Sequence, residues 1–133
     1  MTIRSEKQVI GGVYAYNSRS LSELAYFLAG IFSTDYTEFY IEWLEGLYPN
    51  LQDINQDTGR LTPLEDGNIM VQLGFNEFDA HGELLCFVGS KSDLIDVFKQ
   101  WLLLTRNHEH VDHFLVTKRK NKLTVKMLHN KHN

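Results

Sequence analysis

The sequence has only one cysteine and no long apolar run, and each of these features restricts the class of protein. Cys86 has no partner for an intramolecular disulfide, and its place in the apolar run 84–88 predicts a buried, inert thiol. A membrane-spanning helix needs about 18 to 20 consecutive apolar residues, which the chain lacks. Residues 1–7 also lack the apolar core of a signal peptide, so we expect a cytoplasmic protein.

The chain also lacks the short motifs on which many catalytic sites are built. It has no Gly-x-Ser-x-Gly nucleophile elbow and no glycine-rich phosphate-binding loop. Two acids, Asp79 and Glu83, are near enough in sequence for acid–base work, but they flank a predicted hairpin turn, where solvated acids are typical. We therefore predict that the protein is not an enzyme and uses no cofactor.

The chain does contain the pattern of one α+β domain, residues 1–133. Its length is typical of a single domain. Runs of β-branched and aromatic residues predict strands, and apolar residues recurring every three to four positions predict helices. The predicted elements are, in order, a strand at 8–16, a helix at 20–32, a helix from Asp35 or Thr37 to about Tyr48, strands at 69–75 and 83–88, a helix capped by Ser90 or Ser92, and strands at 111–117 and 122–128.

The element order, β-α-α-β-β-α-β-β, lacks the regular alternation that a parallel doubly wound sheet requires. It predicts an antiparallel sheet of about five strands with three helices packed mainly on one face. Residues 49–67 form a polar connection of roughly 18 residues, longer than most loops in compact domains. We predict a loop there.

A histidine cluster, His108, His110 and His113, suggests a metal site. With Asp112 it spells His-x-His-x-Asp-His, which resembles the metal-binding signature of the metallo-β-lactamase fold family. That resemblance implies a metal-dependent hydrolase, in which a metal-bound water attacks the substrate. In that family, however, the motif follows a core strand and further ligands come from far downstream, whereas here a predicted helix precedes it. We interpret the cluster as an exposed turn, and a metal-dependent hydrolase using the His108–His113 cluster is kept as an alternative.

Charge is distributed unevenly along the chain. Residues 35–96 contain 13 acidic side chains against Arg60 and Lys91, a net charge of −11, and residues 97–133 have a net charge of +6. Such segregation informs about partners rather than about the fold. A negative patch is therefore predicted, which would attract a protein with a basic surface.

The predicted partner-binding surface combines acids with aromatic side chains, the type of residue that dominates binding hot spots. Its members are Tyr36, Glu38, Tyr40, Glu42, Trp43, Glu45, Asp53, Asp57, Glu65 and Asp66, with Tyr48 as a further aromatic anchor. The favoured hypothesis is a non-enzymatic protein-binding module, such as an immunity or antitoxin-like inhibitor that occludes a toxin nuclease.

A basic hairpin at 118–126 gives a third hypothesis, a nucleic-acid-binding accessory protein. Four of the five residues 118–122 are Lys or Arg, which concentrates positive potential at a predicted turn. Lysines also keep edge strands from aggregating, and the chain as a whole is acidic. The sequence therefore favours the solubilising role, and nucleic acid is not the expected partner.

Overall fold

The structure is a computed structural model that describes residues 19–31, 33–56, 59–73, 78, 80–82, 84–107, 111, 114–119 and 122–127. Its helices are α1 (Arg19–Ala29), α2 (Thr34–Leu44) and α3 (Lys91–Asn107). Its strands are β1 (Ile54–Gln56), β2 (Gly59–Pro63), β3 (Ile69–Gln72), β4 (Phe87–Gly89), β5 (Phe114–Arg119) and β6 (Lys122–Met127). The strand predicted at 8–16 lies outside the described residues.

These elements form two antiparallel sheets with three helices, which confirms the predicted α+β class. One sheet has the order β1-β2-β3-β4, and the other is the β5-β6 hairpin. The described part of the chain therefore runs α-α-β-β-β-β-α-β-β rather than following the predicted order, and its strands divide between two sheets instead of one.

The 49–67 connection is not the predicted loop, because β1 and β2 both lie within it. Ile54 pairs with Leu61, and both side chains are buried. Gly59, at the start of β2, lies so close to β3 and α1 that an added Cβ would be 2.6 Å from the Gln72 carbonyl oxygen of β3 and 2.7 Å from the Phe27 ring of α1. The strands are short and contain few apolar residues, so their period of two is too brief to recognise in the sequence.

Helix α2 begins and ends earlier than the sequence predicts. Ser33, rather than Asp35 or Thr37, is its N-cap, and the Ser33 hydroxyl accepts a hydrogen bond from the Tyr36 N–H. The helix ends at Leu44 instead of near Tyr48. Gly46 adopts a φ of 90°, a left-handed conformation that terminates helices and strongly favours glycine.

Helix α3 begins where the sequence predicts. Of the two candidate caps, Ser90 is the one used: its hydroxyl accepts from the Asp93 N–H at 3.1 Å, and its carbonyl accepts from the Leu94 N–H at 3.0 Å. Helices α2 and α3 pack against each other. Glu38 of α2 forms a salt bridge with Arg106 near the end of α3, and Glu45, at the C-cap of α2, forms one with Lys99 earlier in α3, so the two helices are antiparallel.

Three aromatic rings join the helices in the core. The Phe27 ring of α1 lies 5.7 Å from Tyr40 of α2 and 6.1 Å from Phe98 of α3, and Tyr40 and Phe98 are 5.7 Å apart, measured between ring centroids. All three side chains are buried. Tilted rings at these distances contribute roughly 0.5–1.5 kcal/mol per pair beyond the burial of their area. This cluster positions the end of α2, where the candidate site lies.

Candidate protein-binding surface

The four predicted aromatic anchors lie in two different environments. Tyr40 and Trp43 are 2% and 8% exposed and belong to the core, so neither can insert into a partner. Tyr36 and Tyr48 are exposed, but they lie at opposite ends of α2. Tyr48 lies in the turn that follows α2, beside the exposed apolar side chains of Leu47 and Leu51.

The acids of α2 largely contact other residues of the protein. Glu38 forms a salt bridge with Arg106, and Glu45 forms one with Lys99, with the nitrogen and oxygen 3.7 Å apart. Both cations belong to α3. Because these ion pairs are exposed, each contributes at most about 1 kcal/mol to stability. Their charges are nevertheless offset, so the predicted negative patch is weaker along α2 than the sequence indicates.

Glu42 is paired with a tyrosine. The Tyr48 hydroxyl donates a hydrogen bond to a Glu42 carboxylate oxygen at 3.1 Å. That hydrogen bond raises the pKa of Tyr48, and desolvation and the negative charge of Glu42 raise it further. The hydroxyl therefore stays protonated and keeps donating at neutral pH.

The turn that follows α2, residues 47–51, is held in place by hydrogen bonds. The Leu47 N–H donates to the Glu42 carbonyl and the Leu51 N–H to the Tyr48 carbonyl, both at 3.0 Å. The buried Trp43 indole donates to the Leu51 carbonyl at 2.8 Å. The Tyr48 ring also packs edge-on against Phe39, with 5.1 Å between centroids. The 47–51 turn therefore has a defined conformation despite being on the surface.

The 47–51 turn is unusually apolar for an exposed segment. The side chains of Leu47, Tyr48 and Leu51 are 63%, 40% and 41% exposed. Together with Pro49 and Asn50 they line an open pocket of about 390 Å³. A second pocket of about 200 Å³ adjoins it and extends from the same turn to Gln52 and to α2, Pro63 of β2 and Lys91 of α3. Exposed apolar side chains around a concavity are typical of a binding surface.

Three exposed acids lie at the same end of the four-stranded sheet as the 47–51 turn. Asp53 immediately precedes β1, and Glu65 and Asp66 lie in the turn from β2 to β3. Because β1 pairs with β2 in antiparallel register, the start of β1 and the end of β2 are adjacent. Pro63, the last residue of β2, lines the second pocket. We call the 47–51 turn with Asp53, Glu65 and Asp66 the acidic end.

The acids of this end differ in their contacts. The Asp66 carboxylate accepts hydrogen bonds from the Asn68 N–H at 3.0 Å and the Asn68 side-chain amide at 3.3 Å, which fixes the β2–β3 turn. Asp53 and Glu65 are exposed and form no ion pair with the residues that the structure describes. Lys91 lines the second pocket and places a positive charge beside this surface.

The other predicted site residues are outside the described residues or lie elsewhere. Asp57, His108, His110 and His113 fall outside them. Within the described part of the chain, no group of three or more His, Cys, Asp or Glu side chains could hold a metal ion. The hydrolase alternative rests on the three histidines and stays a prediction.

Cys86 is half-buried, not buried as the sequence predicts. Partial desolvation raises the pKa of its thiol, and the negative charge of Glu23 on α1 raises it further. Because the thiolate is the reactive form, a raised pKa keeps the thiol unreactive at neutral pH.

Leu47 and Leu51 are the surface residues that the sequence does not identify. Leu47 falls in the apolar rhythm of α2 and looks like a core position, but Gly46 ends the helix before it. Leu51 lies in the polar 49–67 connection. An early stop at Gly46, followed by Pro49, is the signal that would have placed both leucines on a turn.

No helix among the described residues is long and apolar enough to cross a membrane. Comparisons of the chain with protein-family models, with curated proteins and with solved structures give no match.

Proposed function

We propose that the protein is a non-enzymatic binding module that occludes a basic surface of a partner protein with its acidic end, as an immunity or antitoxin-like inhibitor does with a toxin such as a nuclease. The observation that carries this proposal is an exposed apolar turn, fixed by hydrogen bonds, beside exposed acids. Apolar anchors within a polar rim are the usual arrangement of a protein–protein interface.

The fixed conformation of the 47–51 turn favours binding. A flexible loop loses conformational entropy when it docks, at a cost of roughly 0.5–1.5 kcal/mol for each immobilised side chain. The hydrogen bonds from Trp43 to Leu51 and from Tyr48 to Glu42 already restrict this turn in the free protein. The backbone that carries the two leucines therefore needs little further ordering when they enter a partner's pocket.

The charge of the acidic end favours a basic partner. Asp53 and Glu65 place negative charge beside the apolar turn, which steers an oppositely charged protein towards it and discourages acidic ones. Glu38 and Glu45 contribute less because Arg106 and Lys99 offset them. A nuclease fits this chemistry because its substrate-binding surface must attract phosphates.

Affinity capture with a charge-reversal variant tests the proposal. The full chain, Glu65→Lys and the control Asp35→Lys are each immobilised, and captured proteins are quantified by mass spectrometry. Both positions are exposed acids, but Asp35 lies at the other end of α2. We expect a basic protein that the unchanged chain and Asp35→Lys retain and that Glu65→Lys loses. The proposal is wrong if no captured protein depends on Glu65, or if the dependent protein is acidic.

A further inference from the structure

The β5–β6 hairpin presents two chemically different faces. Side chains of directly paired residues lie on the same face of a sheet, and successive pairs alternate between faces. One face consists of the pairs Phe114–Met127, Val116–Val125 and Lys118–Leu123. The Phe114, Val116, Leu123 and Val125 side chains are buried, and the Trp101 ring of α3 lies 4.8 Å from that of Phe114. This face packs against the core.

The opposite face, which we call the outer face, carries lysine and threonine side chains beside Leu115, which is half-buried and packs against the core. Its described side chains are Leu115, Thr117, Lys122, Thr124 and Lys126. Lys122 and Lys126 are exposed on either side of Thr124. The hydroxyls of Thr117 and Thr124 form a hydrogen bond with each other, which uses one of their two protons and leaves the other free to donate. No acid occurs in the sequence after Asp112.

Protection of a strand edge does not account for these lysines. Lysines often prevent an exposed edge strand from pairing with another chain. Here the Gln100 side chain of α3 covers the edge of β6: its amide donates to the Leu123 carbonyl at 3.0 Å and accepts from the Val125 N–H at 2.8 Å. The same amide donates to Asp96 from the helix side. Two of the backbone groups that would template pairing at this edge, the Leu123 carbonyl and the Val125 N–H, are therefore already occupied.

We propose that the outer face binds the sugar–phosphate backbone of a double-stranded nucleic acid. Lys side chains and Thr hydroxyls are common donors to phosphate oxygens. Lys122 and Lys126 are four residues apart, about 13 Å along a strand, which spans several phosphates at one per ~3.4 Å of each strand of a duplex. The described outer-face side chains include no aromatic ring on which an unpaired base could stack. A duplex is therefore favoured over a single strand, and the contact is independent of base sequence.

The net negative charge of the chain does not prevent this contact. The Debye length is about 8 Å at physiological ionic strength, so exposed charges farther away than that are largely screened. The acids concentrate in residues 35–96, whereas the hairpin strands carry four Lys or Arg and no acid. The inference rests on the hairpin alone and stands independently of the proposed protein-binding function.

A salt series with the full chain tests the inference. Fluorescence anisotropy measures binding to a labelled duplex of about 20 base pairs, with a single strand of equal length and poly-glutamate as competitors. With about two phosphate contacts, affinity for the duplex should fall roughly tenfold between about 50 and 200 mM salt. Lys122→Gln or Lys126→Gln should each reduce the slope of log affinity against log salt concentration by about 1. Lys91→Gln, which removes the same charge at the acidic end, should leave the slope unchanged.

Several results would overturn the inference. If the duplex does not bind, or if its affinity does not change with salt, the outer face makes no phosphate contacts. An equal reduction of the salt slope in Lys91→Gln would assign duplex binding to the net charge of the protein instead of to the outer face. Stronger competition from poly-glutamate than from unlabelled duplex would assign the face to an acidic protein, and stronger competition from the single strand would contradict the duplex. Because Lys122 and Lys126 are exposed, circular dichroism should show that both variants fold.

Discussion

At the scale of single residues, the sequence identifies which side chains share a helix face but not how deeply each is buried. Tyr40 and Trp43 carry polar groups and lie among acids, so they could equally serve as surface anchors. Both are buried because each polar group finds a partner: the Tyr40 hydroxyl donates to Gln56 and the Trp43 indole to the Leu51 carbonyl. These partners belong to a region predicted to be a loop, so the sequence pattern could not reveal them.

Gly59 is the residue whose substitution tests the packing of α1 on the sheet. Gly59→Ala should lower the free energy of unfolding by about 1–3 kcal/mol, because its Cβ would overlap the Gln72 carbonyl oxygen and the Phe27 ring. Urea denaturation measures this loss. Adding Phe27→Leu should make the combined loss smaller than the sum of the two single losses, since one of the two clashes is relieved. Additive losses would show that the Phe27 ring is not what restricts position 59.

At the scale of elements, predictability follows the length of the periodic pattern. Helix α3 has 17 residues and a serine cap, so its start is predictable from the sequence. Strands β1 and β2 have three and five residues, and β2 is placed by pairing with β1 and β3 and by the close approach of Gly59 to Phe27 of α1, which is distant in sequence. The same limit applies to the candidate site. Its acids can be identified from the sequence, but the turn that presents Leu47 and Leu51 depends on where α2 ends.

The contact between α3 and β6 provides a test at this scale. Gln100→Leu leaves the Leu123 carbonyl and the Val125 N–H without their side-chain partner, which should cost about 1–3 kcal/mol of stability. The amide of Val125 should also exchange with deuterium faster than in the unchanged chain. Lys99→Leu, one position earlier, removes only an exposed ion pair and should cost less than about 1 kcal/mol. Unchanged exchange at Val125 would show that Gln100 does not protect the edge of β6.

At the scale of the whole molecule, the sequence reveals that charges are segregated along the chain but not which of them form ion pairs. Glu38 and Glu45, which appear in the sequence as part of a continuous acidic face, form ion pairs with Arg106 and Lys99 across the α2–α3 contact. Asp53, Glu65 and Asp66, by contrast, are exposed at the end of the sheet, beside the apolar 47–51 turn. Because ion pairing between distant segments depends on the fold, sequence position alone could not separate the two groups.

The central claim is that the apolar 47–51 turn anchors a basic partner at the acidic end. The most direct measurement is the affinity of the partner retained in the capture experiment, determined by titration calorimetry for the unchanged chain, Leu47→Asp and Leu103→Asp. The two leucines are almost equally exposed, at 63% and 61%, but Leu103 lies on α3 away from the turn. Leu47→Asp should weaken binding at least about 30-fold, the loss of a hot spot of about 2 kcal/mol, and Leu103→Asp should change it less than about twofold. Equal affinities for the two variants would contradict the claim.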